Sequence, residues 1–135
     1  MKLSVVIPAY NEEKRIAETL ASIDAYLEKQ KFDYEIIVVV NGSKDMTYHI
    51  VKDLEKTTVQ KATAIDLPEG GKGNAVKRGI LEKATGDIIM FMDADNATPI
   101  SEIEKFLPFF EQGFDVVIGS RYTNPELVKV HQPFY

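Results

Sequence analysis

Asp93 and Asp95 stand one residue apart in the string GDIIMFMDADNATP. Asp87 and the run Ile88-Ile89-Met90-Phe91-Met92 read as a buried strand, and the two carboxylates follow its C-terminal end. If both remain extended, period-two alternation points their side chains to one side, while Ala94 points the other way. Two hard oxygen ligands at the mouth of a sheet suit a divalent cation such as Mg²⁺ or Mn²⁺. Such a cation would in turn hold a phosphate-bearing substrate. Taken alone, the DAD string reads equally well as a turn in which Asp bonds to local backbone. Its position weakens that reading, because two carboxylates closing an apolar strand repel each other unless a cation or solvent intervenes.

Other residues could serve the same chemistry, each beside a plainer role. Lys72 lies in the loop Pro68-Glu69-Gly70-Gly71-Lys72-Gly73. Most loop lysines are simply solvated, but the glycines let backbone approach a phosphate. Arg121, just after an apolar run, is either a surface arginine or a fork for phosphate or carboxylate. Tyr10 is a strand-end aromatic that could lie against a base. Glu12 favours a helix dipole. Asn41 caps a turn or reads a base edge with its amide. His49 and His131 are far apart and lack metal-ligand spacing.

Alternating elements must position these residues. Leu3-Ser4-Val5-Val6-Ile7, Glu35 to Val40, Thr63 to Leu67, the run ending at Asp93, and Phe114 to Ile118 read as strands. Asn11 is expected to cap a first helix, with Glu12 and Glu13 in its first turn and Ile16, Leu20, Ile23 and Leu27 inward. Further helices are expected over Met46 to Lys56 and Asn74 to Ala84, the latter with Val76, Ile80 and Leu81 at apolar positions. A last helix should open at Thr98-Pro99 and carry Ile103, Phe106 and Leu107, with Pro108 kinking or ending it. Strand–helix alternation with solidly apolar strands means α/β with a mostly parallel sheet covered on both faces. Ligands of open sheets of this kind bind beyond the carboxyl ends of the strands. The polar clusters PAYNE, NGS, DAD and GSR all fall there.

Composition narrows the classes. With 44% apolar and 27% charged residues, 135 residues are enough for one soluble domain with a real core. Having no cysteine, the chain can form neither disulfides nor thiolate zinc sites. A formal charge of −5 argues against non-specific nucleic-acid binding. No apolar run approaches a membrane span, and the N-terminus does not read as a signal peptide, so a cytoplasmic chain is expected. The turn after the first strand is PAYNEE, without the glycines of a dinucleotide-binding fold. The string GGKGN lacks the hydroxyl that follows lysine in a P-loop.

SVVIPAYNEE, EIIVVVNGSKDMT, GKGNAVKRGILEKATGDIIMFMDADNATP and DVVIGSRY occur in this order. Together they resemble the N-terminal part of an inverting family 2 glycosyltransferase of the GT-A fold, a three-layer α/β/α arrangement. The nearest subgroup in pattern is the polyprenol-phosphate sugar synthases, such as dolichyl-phosphate glucosyl- and mannosyltransferases. The resemblance runs from Lys2 to about Tyr122. It implies that Pro8, Ala9, Tyr10 and Glu12 line the base and ribose of a nucleotide, and that Lys72 and Gly73 lie nearby. It implies that Asp93 and Asp95 hold Mg²⁺ or Mn²⁺ and through it the donor diphosphate, with Asp95 and Arg121 serving catalysis. Asn41 stands where the family commonly has an aspartate near the base, since the common VDDGS string is VNGS here.

The implied donor is a UDP- or GDP-hexose and the implied acceptor a polyprenyl phosphate, with no nucleic-acid partner. The family carries acceptor-site residues and often membrane anchors in further chain. Residues 1–122 are therefore expected to form a nucleotide-sugar-binding domain, and 123–135 to begin an acceptor-side segment. Membrane contact, at the cytoplasmic face, is expected through segments beyond this sequence. Two other classes compete. One is a non-catalytic nucleotide-sugar-binding module. The other is a sugar-nucleotide pyrophosphorylase, whose usual glycine-rich, arginine-containing first loop PAYNEE lacks.

Overall fold

The computed structural model describes residues 1–95 and 99–115. They belong to two compact units, Met1–Ile100 and Ser101–Tyr135. The boundary expected near residue 122 lies outside the described residues.

The first unit is built on four parallel strands: β1 (Lys2–Ala9), β2 (Asp33–Asn41), β3 (Ala62–Leu67) and β4 (Ile88–Phe91). Their order is β3-β2-β1-β4, with Val5 level with Ile36 on one side and Met90 on the other. The chain steps outward from β1 through β2 to β3, then returns to the far side of β1. The order therefore reverses between β1 and β4, and a crevice opens at the carboxyl ends of strands at such a switch point.

Helices α1 (Ile16–Glu28), α2 (Thr47–Lys56) and α3 (Lys72–Arg78) make the crossovers. On α1 the expected stripe of Ile16, Leu20, Ile23 and Leu27 is fully buried. Val6, Ile37, Val39 and Leu67 form one core with Ala75 of α3. Val5, Ile7, Ile36, Val38 and Val40 alternate with these along the strands and are equally buried. The central strands are thus buried on both faces, as expected of a parallel sheet.

Several local expectations are corrected. Asn11 does not cap α1. Its φ is +50°, and its amide oxygen accepts from Lys44 N at 3.0 Å, so it ties the β1 end to the β2–α2 loop. Helix α1 begins only at Ile16, after a turn in which Glu12 O accepts from Arg15 N and Ile16 N. Glu13, instead of filling a first turn of α1, accepts from Met46 N at the start of α2. There the helix dipole favours a carboxylate.

The third helix is not one regular helix over 74–84. Helix α3 starts at Lys72 and passes into a π-helical turn, Gly79–Lys83, closed by Ala84 N donating to Gly79 O at 2.9 Å. The wider turn moves Leu81 off the inward face: it is 70% exposed, while Ile80 and Ala84 pack on the core. Strand β4 is not a buried run through Met92. It ends at Phe91, and Ile89 and Phe91, which period-two alternation places on one face, are exposed, while Ile88 and Met90 on the other face are half-buried.

In the second unit, α4 (Ile103–Glu111) carries Pro108 in its interior and neither stops nor breaks there. It runs on to Glu111 and is followed by Gly113, whose φ of +97° suits a left-handed cap. A short 3₁₀ turn, Ile100–Glu102, precedes α4 in sequence, and the expected cap Thr98 lies outside the described residues. Phe114 and Asp115 are not in a strand, and the rest of the expected strand over 114–118 lies outside the described residues.

A polar latch closes the amino end of the sheet. Ser4 Oγ donates to Glu35 Oε1 at 2.6 Å, Thr85 N donates to the same oxygen at 2.7 Å, and Gly86 N donates to Ser4 Oγ at 2.8 Å. Burial pushes the Glu35 pKa upward, but the bonds from Ser4 and Thr85 and the nearby Lys2 ammonium outweigh it and hold it below its ordinary value. A carboxyl depressed in the folded state contributes stability at neutral pH and loses it as pH falls through that lowered pKa. Thermal melts should therefore show a drop below about pH 4.3 that is smaller in Glu35→Gln.

Candidate functional site

The site residues arrive from the ends of three strands and one helix. Pro8 and Tyr10 come from the end of β1, Asn41 is the last residue of β2, and Asp93 and Asp95 follow β4. Lys72 is the first residue of α3, which starts two residues earlier than the expected helix, so it and Gly73 are helical and not part of a loop. These groups surround two adjoining cavities of about 480 Å³ and 360 Å³. Both are within the ordinary range for ligand pockets. Tyr10, Asn41 and Lys72 line both. The smaller cavity adds Pro8, Glu12, Asp93 and Asp95, at the β1/β4 switch point.

Asp93 and Asp95 are exposed, and Ala94 between them is buried. The pair is not extended, because the backbone turns at Ala94 and Asp95. The turn is anchored from below: Thr19 Oγ1, buried on α1, donates to Ala94 O at 2.8 Å. Lys72 Nζ forms an ion pair with Asp93 Oδ1, both side chains being about half exposed. A cationic group thus already occupies one face of Asp93. Glu12 is held by Arg15 through two 2.7 Å bonds, which fixes its carboxylate at the rim.

Tyr10 is 57% exposed, an uncovered aromatic ring on a wall shared by both cavities. Asn41 is the opposite, 6% exposed. Its Oδ1 is buried with no hydrogen-bond partner among the described residues. Behind it two loops meet through glycines. A Cβ on Gly42, whose φ is +75°, would lie 3.3 Å from Gly70 Cα. Such close backbone approach at positive φ is available to glycine alone.

Of the other expected site residues, Ala9 is buried at the end of β1 and lines neither cavity, nor does Gly73. Arg121 lies outside the described residues. Sequence reasoning missed Thr19, which carries no motif: only the fold brings a helix-interior threonine under the turn. It also missed the part that Gly42 and Pro68 play in the larger cavity. The Gly70-Gly71 pair beside it was the available signal. Thr19→Val keeps the shape and removes the donor to a buried carbonyl. It should cost about 1–3 kcal/mol in denaturant melts, with Thr19→Ser restoring most of the loss.

An open parallel sheet with a crevice at its switch point, lined by an aromatic ring, amide, ammonium and carboxylates, is the GT-A class of nucleotide-sugar-binding fold. The chain belongs to Glycosyl transferase family 2, whose profile matches residues 4–130. It is 37% identical to a dolichyl-phosphate beta-glucosyltransferase of Trichomonas vaginalis, over 98% of this chain and 43% of that protein. It is 38% identical to the dolichol-phosphate mannosyltransferase of Pyrococcus furiosus, over 100% of this chain and 37% of that protein. The chain thus spans about two fifths of the length of these relatives.

Two solved structures are similar at 30% identity. One is the mannosyltransferase PcManGT of Pyrobaculum calidifontis in complex with GDP-Man and Mn²⁺ (TM-score 0.61, 74% of this chain, 29% of that one). The other is S. aureus TarS 1-349 in complex with UDP-GlcNAc (TM-score 0.62, 83% of this chain, 32% of that one).

Proposed function

We propose that this domain binds a nucleotide diphosphate sugar with Mg²⁺ or Mn²⁺. In the whole protein it would transfer the sugar, with inversion, to a polyprenyl phosphate. The observation that carries this reading is the convergence of Tyr10, Asn41, Lys72, Asp93 and Asp95 on one crevice at the β1/β4 switch point. The relatives' names, and the nucleotide sugars and Mn²⁺ in the similar structures, support the substrate class.

The donor set suits the cation. Asp93 and Asp95 offer hard carboxylate oxygens, and Asp93 already attracts a cationic partner. Among the described residues no third carboxylate, histidine or cysteine joins them in a metal-sized cluster, so diphosphate and water oxygens would complete the shell. When bound, the cation supplies Lewis-acid stabilisation of the charge that grows on the departing diphosphate.

The chain's own groups do the rest. Tyr10 gives the base an apolar face, and Glu12 and Pro8 shape the ribose end. Lys72, released from Asp93, adds positive charge against the phosphates. Thr19 holds the Ala94 carbonyl so that the two carboxylates keep their spacing. A phosphate-monoester acceptor has its second pKa near ~6, so it is largely ionised at neutral pH and needs no protein base to attack. Among the described residues, no helix is long and apolar enough to cross a membrane. Work at a cytoplasmic membrane face would rest on other segments or on the acceptor lipid.

The test is transfer by the whole protein from UDP-glucose and from GDP-mannose to a short-chain polyprenyl phosphate, with the product's anomeric configuration read by NMR. The expected product is β-linked from an α-linked donor, and chelation should abolish its formation. Transfer that is indifferent to chelator, or that retains configuration, would contradict the proposal.

A further inference from the structure

We infer that Lys72 is a built-in counter-ion that makes the carboxylate pair take its dication together with a diphosphate and only weakly without one; this rests on the nucleotide-sugar reading of the crevice. Lys72 Nζ pairs with Asp93 Oδ1 and lines both cavities, while Asp93 and Asp95 line the smaller one. The ammonium therefore holds an oxygen that a metal ion would need. Two carboxylates one residue apart repel each other, and a neighbouring positive charge relieves that repulsion. Lys72 already supplies that charge. Only side chains need move for another cation to replace it. Helix α3 is fastened to the sheet, with Ala75 fully buried in the core and Gly79 against Val6. Asp93 is fixed too, since Thr19 anchors Ala94 O beneath its turn. Between these anchors runs a flexible four-carbon stem whose half-exposed end can change partner. So exposed an ion pair is weak, worth about fivefold in an equilibrium constant, and can be exchanged.

The conditions of exchange follow from charge. A dication that approaches Asp93 alone meets an ammonium and must displace it. The displaced ammonium then has poor alternatives. Besides the pair itself, the carboxylates lining the two cavities are Glu12, already held by Arg15, and Glu69, exposed to solvent. A diphosphate changes the balance. Its oxygens receive the ammonium and also complete the dication's shell, for which the described residues offer no third carboxylate, histidine or cysteine. Each ligand thus frees the group that the other needs. That is positive coupling, and linkage makes it reciprocal. A lysine that served the phosphates alone would strengthen nucleotide binding and leave binding of the metal by itself untouched.

The experiment follows Mn²⁺ binding by loss of the free-ion EPR signal, with no nucleotide, with UDP and with GDP. It compares the unmodified protein with Lys72→Met, which keeps the length and loses the charge, and with Lys72→Arg, which keeps the charge. Lys72→Met should bind Mn²⁺ alone about fivefold more tightly than the unmodified protein. The factor by which UDP or GDP raises Mn²⁺ affinity should fall by about the same amount or more, since the phosphates also lose a partner. Lys72→Arg should keep both quantities close to those of the unmodified protein. Lys72 is exposed, so thermal melts of the variants should differ little, and Lys72→Gln repeats the test if the methionine variant does not fold. Affinity for Mn²⁺ alone that is unchanged or weaker in a folded neutral variant, or a coupling factor that does not fall, would overturn the inference. If neither nucleotide raises Mn²⁺ affinity in the unmodified protein, the nucleotide-sugar reading itself fails.

Discussion

Asp95→Asn should remove Mn²⁺-dependent affinity for a nucleotide sugar by about 100-fold or more while leaving the fold intact. Loss of a group one shell out from a metal commonly costs 10–100-fold, and Asp95 is proposed as a direct ligand. Asn keeps the size and one carbonyl oxygen but loses the charge that holds a hard dication. Asp95 is exposed at the turn, and exposed substitutions usually change stability by no more than about 0.5 kcal/mol. Binding and stability should thus separate. Calorimetric titration of the variant with and without Mn²⁺, beside a thermal melt, measures both. A variant that still shows the full Mn²⁺ effect would remove Asp95 from the metal site. Asp93→Asn adds a second contrast, since it also strips Lys72 of its counter-ion.

A second large effect, on stability, is expected outside the crevice, at Gly79. This residue has helical φ and ψ of −59° and −47°, so nothing in its backbone requires glycine. Space does. A Cβ built there runs into Val6 Cγ1 and comes within 3.3 Å of Val39 Cγ2. Val6 and Val39 are fully buried on the two central strands. Valine is stiff at χ1, so neither can swing away cheaply. Gly79→Ala gains about 1 kcal/mol of helix propensity but overpacks the core, which costs roughly 1–3 kcal/mol. Gly79→Val adds bulk to the same gap and should cost more than the alanine variant. Denaturant midpoints should fall in that order. The damage should reach the site as well, because the helix that would be pushed off the sheet carries Lys72 at its start. An alanine variant as stable as the parent would show that the π turn absorbs the extra carbon.

Much of this was legible from residue pattern. Val5 to Ile7 and Ile36 to Val40 are apolar at consecutive positions because both faces of their strands are buried, and that alone implies a parallel sheet with helices above and below. The crevice followed from polar residues at strand ends, and Tyr10, Asn41, Lys72, Asp93 and Asp95 do meet there. What pattern could not give were contacts set by distant chain. Asn11 and Glu13 look like helix-start residues, but the β2–α2 loop offers them better partners in Lys44 N and Met46 N. The propensity of Gly79 gives no hint that it packs on Val6, nor that the helix widens there. Ile89 and Phe91 read as core by hydrophobicity, yet their exposure depends on what packs against their face of the sheet. Thr19 was invisible for the same reason: its partner, Ala94 O, is 75 residues away.

The most direct measurement is calorimetric titration of the unmodified protein with a UDP-sugar and a GDP-sugar, each with Mn²⁺ and with chelator. A nucleotide-sugar crevice whose carboxylates work through a cation predicts saturable one-to-one binding with Mn²⁺ and a large loss of affinity without it. Affinity that is the same in both conditions, or no binding in either, would contradict that account.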